Sequence, residues 1–169
     1  NIMSLLYGDD FADKTTLYTS ALHGTFSYCY KLISAEHLVL PATTLTEYCY
    51  EHMFLACNSL TTAPSTLPAT TLANGCYYMM FTNCTSLKTA PLLPATTLVN
   101  GCYLQMFDGC SNLNYVKCLA TDISAPYCLY NWVYGVSSTG TFVKHPDMTS
   151  LHTDISGIPN GWTVVNASV

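Results

Sequence analysis

The sequence predicts an α/β solenoid in which each repeat contributes one short helix and one short strand. Three observations predict it. The stretch "LPATTLTEYCYEHMFLACNSL" at 40–60 returns as "LPATTLANGCYYMMFTNCTSL" at 67–87 and as "LPATTLVNGCYLQMFDGCSNL" at 93–113. Apolar residues recur inside each copy at a spacing that suits one face of a helix. A single copy has too little partner surface to bury that face, whereas stacked copies share a continuous core.

The elements follow from the columns. With the Leu of "TTL" as origin, the units start at Leu17, Leu45, Leu72 and Leu98, with Ile123 as a degenerate fifth; the spacing shrinks from 28 to 27, 26 and 25. A phenylalanine column, Phe26, Phe54, Phe81 and Phe107, ends in Trp132 with the same spacings. The first 15 residues of each unit keep constant length, and all the shrinkage falls between Leu32, Leu60 or Leu87 and the next origin. A segment that loses residues without disturbing its neighbours lies at the surface. Within the constant block the apolar offsets are 0, 4, 5, 8, 9 and 12, which in the second unit are Leu45, Cys49, Tyr50, Met53, Phe54 and Cys57. These predict a helix. Thr43/Thr44, Thr70/Thr71 and Thr96/Thr97 precede it, where hydroxyls cap orphan N–H groups. "NSLTTAP", "TSLKTAP" and "SNLNYVK" follow it and read as a short strand with its exit.

The pattern "CYxxMFxxCxSLxxAPxLPATTL" resembles the BspA-type leucine-rich repeat of surface proteins from Bacteroides-like bacteria. The resemblance covers roughly 14–134, and the tail from "GVSSTGTFVKHPDMTS" to "GIPNGWTVVN" looks like the ending such proteins carry. It implies a right-handed leucine-rich-repeat solenoid, secreted or surface-anchored, with a role in adhesion and ligand recognition. The expected organisation is one domain: a solenoid with its N-terminal cap at 1–134, and a strand-rich C-terminal cap at 135–169. "IMSLLYGDDF" supplies the N-terminal lid. The opening residues lack the features of a signal peptide, so the chain reads as a mature or excised segment.

Nine cysteines recur mostly as Cys-x7-Cys pairs. On a helix, eight residues rise about 12 Å, beyond the roughly 7 Å that a disulfide spans. The spacing is not that of a zinc site, and no histidine recurs with the cysteines. The expectation is a ladder of buried thiols acting as small apolar residues. Met53, Met80 and Met106 read as core beside the phenylalanines.

Composition limits the function. Charged residues make up 9%, with five lysines, no arginine and a net charge of -5. That leaves no basic footprint for nucleic acid or for an anionic membrane. No apolar run is long enough to span a bilayer. His145/Asp147 and His152/Asp154 are read as solvated turns of the cap rather than a catalytic base and its orienter, because no nucleophile motif accompanies them. Asp9, Asp10 and Asp13 lack a calcium-loop pattern and read as a polar cap. No catalytic, cofactor or metal residues are expected. Function is placed on the outward positions that vary between units: Tyr48, Tyr78 and Met79 on the helix, and Thr61, Lys88, Asn114 and Tyr115 on the strand. Exposed aromatic and apolar residues often mark contacts. The expected role is a non-enzymatic cell-surface module that binds a host or bacterial protein or a glycan. The alternative is a rigid structural subunit or spacer of a larger envelope complex.

Overall fold

The computed structural model describes residues 8–148, 151 and 154–168. Most of the N-terminal lid, 1–7, and His152 of the second His/Asp pair lie outside them. The predicted helices are absent. Among the described residues the only helical segment is a 3₁₀ turn, Gly8–Asp13. The expectation of a helix-plus-strand leucine-rich-repeat solenoid is therefore overturned, and no repeat carries the helix that would define one.

In place of each helix runs a ribbon of consecutive turns. In the second coil Met53, Leu55 and Cys57 donate their N–H groups to the carbonyls of Tyr50, His52 and Phe54, three residues back rather than four. The alternate residues donate across to the third coil: Tyr50 to Cys76 (3.0 Å), His52 to Tyr78 (3.0 Å), Phe54 to Met80 (2.8 Å) and Ala56 to Thr82 (2.8 Å). Every fourth residue of the ribbon has a positive φ. The set is Tyr48, His52 and Ala56 in the second coil, and Gly75, Met79 and Asn83 in the third. Each occupies the third position of every second turn, where a type II turn demands that conformation. The threonines before each ribbon therefore cap no helix. Their backbones instead join neighbouring coils, through the bridges Thr16–Thr44, Thr44–Thr71 and Thr97–Asp122.

Burial nonetheless follows the apolar columns. Leu45, Cys49, Tyr50, Met53, Phe54 and Cys57 are all buried, as are their equivalents in the third and fourth coils. Phe26, Phe54, Phe81 and Phe107 stack with ring centroids 5.2–5.5 Å apart. The fifth coil corrects the sequence register by one residue. Phe107 donates to the Trp132 carbonyl as Phe81 does to that of Met106, so Val133 continues the phenylalanine column and Trp132 the methionine column. Cys128 thereby joins the column of Cys49, Cys76 and Cys102.

All nine cysteines are free thiols, and all but Cys29 are buried. The helix geometry used to exclude disulfides does not exist, yet the thiols have their own partners. Cys57, Cys84 and Cys110 donate S–H to the carbonyls of Phe26, Phe54 and Phe81 at 3.0, 3.1 and 3.0 Å. Each such thiol ties its coil to the one before it.

Among the described residues, strands form only late in the chain. β1 (Tyr115–Cys118), β2 (Gly140–Lys144) and β3 (Trp162–Asn166) make one parallel sheet in that order. Earlier coils reach the same level but carry Pro64 or Pro91, which lack the N–H a ladder needs. There the contact shrinks to single bridges, Ser34–Thr62 and Thr89–Tyr115.

Candidate recognition surface

The ribbon's geometry builds one groove. Tyr48, Gly75, Gly101 and Tyr127 occupy the same column in successive coils, all with positive φ. Large residues stand at the ends of this column and glycines between, so the middle is a trough. Tyr48 lies across Gly75, where an added Cβ would run into its ring. Asn74 and Asn100 precede the two glycines, and Tyr78 and Leu104 follow them. Together these eight residues line a groove of about 280 Å³. At a rung spacing of about 4.8 Å, the column from the second to the fifth coil runs roughly 14 Å. Tyr48 is 41% exposed and Tyr127 66%. Asn74 donates to Glu47 Oε1 at 3.2 Å.

The structure divides the residues singled out in the sequence. Tyr48 and Tyr78 come together in this groove. Met79 sits beside it, its sulfur 3.3 Å from His52 Nε2, with the His52 ring 5.4 Å from that of Tyr78. Burial holds His52 below the usual histidine range. Thr61, Lys88, Asn114 and Tyr115 lie on the strand side of the coils and contribute nothing to the groove. Asn114 donates its N–H to the Lys88 carbonyl, so those two are neighbours. Thr61 borders a separate cleft of about 460 Å³ with Thr62, Pro64 and Thr89. No backbone hydrogen bond joins Thr61–Ala63 to Lys88–Ala90 among the described residues. Tyr115 is half-buried as the first residue of β1.

Asn74, Asn100 and Tyr127 were missed as groove residues. The signal for them was the column Tyr48, Gly75, Gly101, Tyr127, visible only once the fifth coil is shifted by one residue. Elsewhere, His145 Nδ1 accepts from the Asp147 N–H at 3.1 Å and lies 3.7 Å from its carboxylate. This is a local turn at the start of the tail. Among the described residues no three histidine, cysteine or acidic side chains converge as a metal site. No described helix is long and apolar enough to cross a membrane. Comparison with protein-family models, with curated proteins and with solved structures finds no match.

Proposed function

We propose that the protein is a non-enzymatic recognition module that binds a glycan in the Tyr48–Tyr127 groove. The observation that carries the reading is the composition of that groove: exposed tyrosines at both ends and Asn74 and Asn100 between them. Tyrosine offers an apolar face for the C–H side of a sugar ring and a hydroxyl at its rim. An asparagine amide is both donor and acceptor, which matches a sugar hydroxyl. The resemblance of the repeat to those of bacterial surface proteins supports a secreted or cell-surface location, outer-membrane anchored if the whole protein is a lipoprotein.

Glycan-array screening of the intact protein, followed by titration of the best ligand, tests the reading. Tyr48→Ala and Tyr127→Ala are each expected to weaken binding by about 1–2 kcal/mol, roughly 5–30-fold. Lys88→Ala, on the strand side, leaves it unchanged. Retention of no glycan, or equal loss from all three variants, defeats it.

A further inference from the structure

The ribbon brings a nitrogen donor and a sulfur donor together beside the groove. His52 and Met79 hold the same position in successive coils, both with positive φ. The His52 N–H donates to the Tyr78 carbonyl and the Met79 N–H to that of Leu104, both at 3.0 Å, so the ribbon fixes their register. Both residues are half-buried. His52 Nε2 lies 3.3 Å from Met79 Sδ. As a hydrogen bond this contact is weak, because a thioether is a poor acceptor. As a pair of metal donors the two atoms are well separated. With metal–nitrogen and metal–sulfur bonds of roughly 2.0 and 2.3 Å, a 3.3 Å separation subtends about 100° at the cation and leaves room for a third donor.

That donor stands beside the pair. The His23 ring packs edge to face against that of His52, with centroids 5.3 Å apart. The Gly24 N–H donates to the Glu51 carbonyl at 2.9 Å, which holds the first coil in register here. His23 Nδ1 lies 3.5 Å from Glu51 Oε2. A carboxylate at that nitrogen favours the tautomer protonated on Nδ1 and leaves the Nε2 lone pair for a metal. The Glu51 carboxylate also adds negative charge beside the donors. The His23 side chain is 47% exposed, so a cation reaches them from solvent.

We propose that His52, Met79 and His23 form a surface site for a soft monovalent cation, Cu(I). The donor set selects the metal. Thioether sulfur suits Cu(I), and imidazole suits copper as well as zinc. Hard cations such as Mg²⁺ and Ca²⁺ need several oxygen donors, which these three side chains do not offer. The sulfur comes from methionine, so the site needs no convergence of three histidine, cysteine or acidic side chains. Glu51 acts through His23 and is a positioning residue. The inference does not depend on what the groove binds.

Anaerobic titration of the full chain with Cu(I), in competition with a chromophoric Cu(I) chelator, tests it. Cys29 is an exposed thiol and a strong Cu(I) ligand in its own right, so every arm carries Cys29→Ser. One Cu(I) per chain is expected. His52→Ala and Met79→Leu are each expected to lower its affinity by roughly 10–100-fold, with an unchanged circular dichroism spectrum, and His23→Ala by a smaller factor. His145→Ala, in the tail, leaves the affinity unchanged. Saturation with Cu(I) is also expected to shift the methyl carbon resonance of Met79, assigned by its loss in Met79→Leu. A packing role for the methionine would not produce that shift. Retention of no Cu(I), undiminished affinity in His52→Ala or Met79→Leu, or an unmoved Met79 resonance at saturation overturns the proposal.

Discussion

Ala56 and Gly75 show how much a single backbone angle decides in this chain. Both have φ near +60°. In a helix, Ala→Gly lowers stability by roughly 0.5–1 kcal/mol. At positive φ an alanine side chain is strained by roughly 1–2 kcal/mol, against a smaller entropic cost of glycine in the unfolded chain. Ala56→Gly is therefore expected to raise stability by about 0.5–1 kcal/mol in urea unfolding. The sign of that change separates a turn ribbon from a helix. Gly75→Ala is expected to lower stability by roughly 1–3 kcal/mol, since it adds both strain and a collision with Tyr48. It also lifts the Tyr48 ring from the trough.

For the element, the ribbon explains what the sequence revealed and what it hid. The buried offsets 4, 5, 8, 9 and 12 were legible because burial in the stack depends only on which residues face inward. The helix was not, because over 15 residues a repeat of four resembles one of 3.6. Glycine was the overlooked clue. Gly24, Gly75, Gly101, Gly109 and Gly135 all stand on the positive-φ positions, where a helix would favour alanine. The strand segments were legible as to place, and the prolines at 64 and 91 explain why only the later ones pair as strands. Tyr48 and Tyr78 of the candidate site were legible as outward residues. Their partnership with Asn74, Asn100 and Tyr127 depended on coil register, which a degenerate fifth unit obscured. The far-ultraviolet circular dichroism spectrum is expected to lack the paired helical minima. A strongly helical spectrum would contradict the ribbon.

For the whole molecule, the buried thiols make stability depend on pH in one direction. Desolvation pushes Cys49 and Cys57 up to about 11, and Cys102, Cys110 and Cys118 up to about 12. Cys76 and Cys84 are raised for the same reason. In the unfolded chain a thiol ionises near 8.5. Above that pH the unfolded state binds fewer protons than the folded one, so stability falls as pH rises. The full stabilisation is present below about pH 8.5 and is lost progressively toward pH 11–12. Denaturation midpoints measured at about pH 8 and about pH 10 are expected to fall, and replacing Cys102 and Cys110 by alanine reduces the difference. A midpoint independent of pH over this interval would show that the thiols titrate as exposed groups.

The one-way hydrogen bonding between the ribbons of successive coils also orders events during synthesis. Leu22 needs the Cys49 carbonyl, Phe54 that of Met80, and Phe107 that of Trp132, always 25–27 residues downstream. A coil leaving the ribosome thus accepts from the coil before it, but its own N–H row has no acceptor until its successor has been made. Completion of each ribbon trails translation by one coil, and the most recent coil waits with that row open to water.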